Sequence, residues 1–218
     1  MHTLVETVET PVGDARTTCF PADGVRSAVL MLGHGIGGGI EAPDLQALAA
    51  ALPSLGVEVV LVEQPWRVAG KRLGPPPKTL DVAWRAIVDH VRANLVGDAE
   101  HEVPLLVGGR SAGARVACRT GKGTGASAVL ALAFPLHPPG KPEKSRADEL
   151  TGTGLPTLVV QGAVDPFGSP SEFPALPPTH RLVGLAAGGH EFAVRKSQEP
   201  VIGVVTDAVA TWIKTLIR

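Results

Sequence analysis

Hydrophobic and polar positions along the chain change rhythm once. From Thr3 to Glu9 apolar and polar residues alternate, and Ala15 to Phe20 follows a Pro-Val-Gly-Asp turn. That period of two predicts a peripheral antiparallel hairpin. Beyond it the apolar residues come in unbroken runs: Ala28 to Leu32, Val57 to Val62, Val103 to Val107, Ala128 to Ala133 and Pro156 to Val160. Such runs predict strands covered on both faces. Thr179 to Gly184 reads as a further strand.

Between the runs lie segments of helical period. Pro43 to Leu52, Thr79 to Leu95 and Ser111 to Arg119 are predicted helices, with Thr79-Leu80-Asp81 as the start signal of the second. Within it Trp84, Ile87, Val88, Val91 and Leu95 share one face. Pro200 to Leu216 predicts a closing helix with Val205, Val209 and Trp212 on its apolar stripe. Strand and helix in alternation imply an α/β fold: a mainly parallel central sheet flanked by helices, with right-handed crossovers. Ligands of such sheets sit beyond the carboxyl ends of the strands. The Pro- and Gly-rich stretches Gly70 to Lys78 and Pro135 to Pro142 read as loops, and with no long linker residues 1–218 are expected to form one domain.

Composition narrows the function classes. The formal net charge of −1 gives no field that favours nucleic acid or an anionic membrane. The N-terminal stretch lacks an apolar leader core, and no apolar run is long enough to span a bilayer. A cytoplasmic protein is expected. Cys19 and Cys118 are too few for a disulfide framework and read as buried thiols. The histidines are scattered without metal-ligand spacing, so neither metal nor cofactor is expected. Oligomeric state is not encoded in any pattern found.

Chemistry-bearing residues gather at the predicted strand ends. Gly109-Arg110-Ser111-Ala112-Gly113 is G-x-S-x-G between a strand and a helix, the context of a nucleophile elbow. With 26 glycines in the chain the pattern alone is equally a glycine-rich turn whose serine caps the helix. Asp165 and His190 follow later strands. A serine nucleophile needs a base and an acid that orients it, and Ser, Asp, His is the chain order of the α/β-hydrolase fold. The N–H of Ala112, with that of Ile36 or Gly37 in the glycine-rich loop after the first central strand, would form the oxyanion hole. Arg110, His137 and Trp66 are candidate substrate contacts. The Pro135 to Arg146 loop would wall the pocket, where His137, Lys141, Lys144 and Arg146, with Arg110, would meet an anionic substrate group; alternatively it is a rigid, solvated loop, and Arg110 a structural partner of an acid behind the sheet. The segment from Phe134 to Leu155 is too short for a helical lid, which favours a small acyl substrate over a lipid.

Leu32-Gly33-His34-Gly35, the stretch from Gly108 to Arg115, Phe134 to Arg146 and Gly189-His190-Glu191 resemble the small α/β-hydrolases of the dienelactone-hydrolase-like type. More narrowly they resemble the group that includes the hydrolase-like domain of a chromatin non-specific-lethal complex subunit and its bacterial relatives. The resemblance implies a hydrolase fold without a large lid domain, with Ser111, Asp165 and His190 matching the triad. A serine hydrolase of an ester, thioester or lactone is therefore the expected activity. Two other readings remain. Some members of the group look like non-catalytic interaction domains, so a binding module on the same fold is one. Gly33-x-Gly35-x-x-Gly38 with Glu63 after the next strand also fits a dinucleotide-dependent oxidoreductase.

Overall fold

The computed structural model describes residues 3–97 and 102–217. The predicted runs become one eight-stranded sheet in the order β1-β2-β4-β3-β5-β6-β7-β8. Its strands are β1 (Leu4–Val8), β2 (Ala15–Phe20), β3 (Ala28–Gly33), β4 (Val57–Glu63), β5 (Leu105–Arg110), β6 (Ala128–Leu132), β7 (Thr157–Gln161) and β8 (His180–Gly184). β1 and β2 form the antiparallel hairpin and β2 pairs antiparallel with β4, while every other pairing is parallel.

Among the described residues six α-helices flank the sheet: α1 (Pro43–Ala51), α2 (Pro65–Val68), α3 (Pro77–Val91), α4 (Ala112–Thr120), α5 (Ala147–Thr151) and α6 (Ile202–Ile213). Each central strand feeds two cores because its side chains alternate between faces. In β3, Val29 and Met31 join Trp84, Ile87 and Val88 of α3 and Val116 of α4. Ala28, Leu30 and Leu32 point the other way, onto Leu45 and Leu48 of α1 and Val209 and Trp212 of α6. Two-sided burial is thus the reason these strands read as continuous apolar runs. No helix among the described residues is long and apolar enough to cross a membrane.

Most boundaries shift by a residue or so from the sequence reading, the closing helix shortens to Ile202–Ile213, and three shifts have a visible cause. β5 begins at Leu105 rather than Val103 and runs through Gly108, Gly109 and Arg110. A side chain on Gly108 would stand 2.6 Å from the Leu130 carbonyl oxygen, so the strand ends in glycines because its neighbours lie against it. α3 starts at Pro77, not Thr79. The prolines set its first turn, since φ is already helical there and no N–H is wasted. Its last turn widens to π geometry over Arg92–Val96, so the α-helix stops short of Leu95. The short helices α2 and α5 had no visible period. No helical insertion separates β6 from β7 apart from α5 and one 3₁₀ turn at Pro142–Lys144.

Candidate active site

Ser111 occupies the turn between β5 and α4 with φ 54° and ψ −109°, a left-handed conformation that costs a side-chain-bearing residue about 1–3 kcal/mol. The surroundings hold it there. Its N–H donates to the Leu132 carbonyl at 2.9 Å, and its own carbonyl accepts from the Arg115 N–H at 3.1 Å. Glycines make the close passage possible. A Cβ on Gly109 or Gly113 would lie 2.3 or 2.4 Å from the Gly33 carbonyl oxygen, and one on Gly35 would press on Ser111 itself at 3.3 Å. The Ser111 side chain makes no capping bond to α4, so the helix-cap alternative is not the one adopted.

The hydroxyl is instead bonded to His190. Ser111 Oγ lies 2.8 Å from His190 Nε2, and His190 Nδ1 lies 2.8 Å from Asp165 Oδ2. With the carboxylate as acceptor, Nδ1 carries the proton and Nε2 is free to accept from the serine. His190 comes from the loop after β8 and Asp165 from the turn after β7. The Asp165 carboxylate is buried and anchored on both oxygens: Oδ1 accepts from the Phe167 N–H at 2.8 Å and Oδ2 from Gln161 Nε2 at 2.9 Å. Gln161 also donates to the Gly168 carbonyl at 2.8 Å, closing the turn that carries the acid. The Phe167 ring covers the imidazole, with centroids 4.2 Å apart.

These groups open into a cleft of about 440 Å³. Ile36, Gly37 and Ala112 line it, and among the described residues none of their N–H groups donates to another backbone carbonyl. Ala112 is the first residue of α4, where an N–H has no helical acceptor. The loop bearing Ile36 is steadied by His34. Its Nδ1 donates to the Gly35 carbonyl at 2.8 Å and its Nε2 accepts from the Gln64 N–H at 3.4 Å. Burial lowers the His34 pKa, which keeps the ring in the neutral form this pair of bonds needs.

Of the three candidate substrate contacts, one borders the cleft and two do not. Arg110 lines it, yet its buried guanidinium also performs the structural task considered from the sequence. Nη2 donates to the His190 carbonyl at 2.9 Å, and Nε faces the buried Asp44 carboxylate of α1 at 3.6 Å. Burial raises the Asp44 pKa and the Arg110 cation opposes that rise. His137 lies elsewhere: Nδ1 bonds the Pro138 carbonyl at 2.9 Å and Nε2 the Glu172 carboxylate at 3.0 Å. Trp66 is buried under the hairpin side of the molecule, its ring 5.6 Å from that of His34. Both follow strand ends, the position from which a side chain can reach the site. Their side chains pack into the protein instead.

The dinucleotide alternative also loses its geometry. α1 begins at Pro43, well past Gly38, so the glycines do not open a helix. Glu63 pairs with Arg16 at 3.5 Å. Sequence reasoning passed over His34, Gln161 and Asp44, and over Arg115 and Arg119. The two arginines carried a signal, since they stand four and eight residues beyond Ser111 on one helix face.

Known proteins agree with this architecture. Residues 26–218 match the family model of an alpha/beta hydrolase domain. No curated protein sequence matches the chain. Among solved structures, an α/β serine hydrolase without lid from Xanthomonas campestris is similar at 20% identity and TM-score 0.76, covering 97% of this chain and 95% of that one. The dienelactone hydrolase from Anabaena variabilis is similar at 18% identity and TM-score 0.73, over 100% and 99% of the two chains. An alpha-beta serine hydrolase homologue from Coxiella burnetii shares 17% identity with TM-score 0.71, over 99% and 98%. With its family model matched from the start of the parallel sheet to the last residue, the chain belongs to the α/β-hydrolase family, and its fold is that of the small lidless and dienelactone hydrolases.

Proposed function

We propose that the protein is a serine hydrolase that cleaves a small acyl substrate, an ester, thioester or lactone, through an acyl-enzyme. The observation that carries the reading is the relay of two 2.8 Å contacts from Ser111 through His190 to Asp165. In the first half-reaction Ser111 Oγ attacks the substrate carbonyl carbon while His190 Nε2 takes the hydroxyl proton. Asp165 holds Nδ1–H and stabilises the imidazolium that results. The tetrahedral oxyanion is held by the N–H of Ala112 and that of Ile36 or Gly37, each donor contributing roughly 3 kcal/mol of transition-state stabilisation. Collapse expels the alcohol or thiol, which leaves with the proton from His190. Water then attacks the acyl carbon by the same route, its proton passing through His190, and the acid is released with Ser111 restored.

The shape of the cleft supports a small substrate. It is open, about 440 Å³ in size, and no helical segment of the described residues covers it. The test is intact mass after exposure to a fluorophosphonate. One adduct on the wild type, absent from Ser111→Ala and strongly reduced in His190→Ala, supports an activated serine. An unlabelled wild type means the hydroxyl is not activated and the fold serves binding alone.

A further inference from the structure

The turn that carries Asp165 brings a second group to His190. Pro166 and Phe167 follow the acid, and the Phe167 ring lies against the imidazole with centroids 4.2 Å apart and planes inclined by 33°. At that separation and tilt the imidazole sits over the face of the ring rather than at its edge. The backbone around the ring is fixed. The Phe167 N–H donates to Asp165 Oδ1 at 2.8 Å, and its carbonyl accepts from the His137 N–H at 3.0 Å. Gly168 closes the turn, its N–H donating to the Asp165 carbonyl at 3.1 Å and its carbonyl accepting from Gln161 Nε2 at 2.8 Å. One rigid turn therefore presents a carboxylate to Nδ1 and an aromatic face to the flat of the same imidazole.

That face meets a need the hydrogen bonds leave open. In the hydrolase reading His190 is an imidazole before Ser111 attacks and an imidazolium while the tetrahedral species exists. Asp165 meets the new charge at one nitrogen, in the plane of the ring. Arg110 touches only the His190 carbonyl, and its guanidinium stands 3.6 Å from Asp44 and 3.8 Å from Glu191. Over the plane of the imidazole stands Phe167. An aromatic face attracts a cation within about 6 Å through its quadrupole and does much less for a neutral ring. Phe167 also lines the cleft, which no helical segment of the described residues covers. Its ring thus keeps water off one side of the imidazolium, where water would weaken the attraction. Packing alone would be served by any apolar side chain, and a wall for the substrate would not need its face on His190.

We infer that Phe167 is a positioning residue of the triad: its ring face holds the imidazolium form of His190 more tightly than the imidazole, and so favours the transfer of the Ser111 proton. The inference rests on the hydrolase reading above and adds a group to its machinery. Phe167 itself exchanges no proton and forms no bond with the substrate.

The experiment changes the ring at one position. Phe167→Leu keeps an apolar cover and removes the face, while Phe167→Tyr keeps both. Pentafluorophenylalanine introduced at position 167 keeps the ring and reverses the charge of its face. Kinetics are read on p-nitrophenyl acetate and p-nitrophenyl butyrate, per active site counted by fluorophosphonate adduct, so a partly unfolded preparation does not distort them. Both half-reactions form the imidazolium. Hence kcat and kcat/KM are expected to fall together, about fivefold in Phe167→Leu and in the fluorinated protein, with KM unchanged on both esters. Phe167→Tyr should stay within twofold of the wild type. Wild-type rates in the fluorinated protein, or a loss confined to KM that grows with acyl length, overturn the inference.

Should neither ester turn over, the rate of fluorophosphonate labelling decides, because attack of Ser111 on phosphorus passes the same proton to His190. Labelling about fivefold slower in Phe167→Leu and in the fluorinated protein supports the inference, and equal rates overturn it. The two failures are distinguishable. A labelled wild type with equal rates in the variants removes the role of Phe167 alone, whereas an unlabelled wild type removes the hydrolase and this role with it.

Discussion

The guanidinium of Arg110 donates to the backbone carbonyl of His190 at 2.9 Å, so the residue before Ser111 holds the loop that carries His190. Its other face meets Asp44, buried at the start of α1 and raised in pKa by that burial. Arg110→Met should lower stability by about 3 kcal/mol or more, because it leaves a buried carboxyl without its cation. Arg110→Lys keeps the charge and loses the fork that spans Asp44 and His190. It is expected to stay folded but to lose about tenfold in kcat with little change in KM, since His190 is no longer fixed from behind. Urea unfolding and steady-state kinetics on both variants check this. Full kcat in Arg110→Lys would show that the His190 loop holds itself in place.

Ser111 carries backbone strain, which the proposed nucleophile role accounts for. At φ 54° a glycine adopts the turn without the Cβ clash that serine suffers. Relief of about 1–3 kcal/mol, less the roughly 0.5–1 kcal/mol of extra chain entropy that glycine loses on folding, leaves a net gain. Ser111→Gly should thus unfold at higher urea than the wild type, by about 1 kcal/mol, while losing at least ~10⁴ of the turnover. Ser111→Ala should show the same loss of turnover without the gain in stability. The pair separates the strain from the chemistry.

Much of this architecture is legible in the sequence. The sheet is readable because two-sided burial writes itself as unbroken apolar runs, and the grouping of Ser111, Asp165 and His190 because each lies in the loop beyond the carboxyl end of a strand. What was not legible shares a cause. His137 follows β6 and Trp66 follows β4, as a site residue would, but nothing in the sequence says which way a loop side chain turns. His137 turns to Glu172 and Trp66 to His34. Gln161 is the last residue of β7 and carries no signal in the sequence, because its contacts depend on the tight turn that brings Asp165 back over it. The extent of β5 was misread because glycine carries no hydropathy, although Gly108 and Gly109 are where the sheet packs most closely.

Gln161 gives the next prediction. It is fully buried, and its amide binds the same Asp165 oxygen that receives the His190 proton donor. Gln161→Met fills similar space and withdraws that donor, together with the tie to the Gly168 carbonyl. The carboxylate keeps its bond from the Phe167 N–H and so stays in place, but turns more freely. An approximately tenfold fall in kcat at constant KM is expected, and fluorophosphonate labelling should slow by a like factor while its end point stays at one adduct per chain. Unaltered labelling kinetics would mean that Phe167 alone fixes the acid.

His137 supplies a prediction in pH. Its hydrogen bond to the Pro138 carbonyl and its pairing with Glu172 outweigh burial and raise its pKa above the ordinary value of 6.5. A base with a raised folded-state pKa binds protons more tightly when folded. Its contribution is therefore complete below about pH 6.5, where the unfolded chain is also protonated, and is lost as pH rises through the folded value. Glu172 is half-exposed, which limits the contribution to under about 1 kcal/mol. His137→Gln should accordingly be less stable than the wild type at about pH 5.5, and the gap should narrow by about pH 8.5. Since neither ring nitrogen faces the cleft, kcat/KM on p-nitrophenyl esters should stay within twofold of the wild type. A gap that widened with pH would reverse the sign of the pairing, and a large loss of activity would return His137 to the substrate contacts from which its geometry removes it.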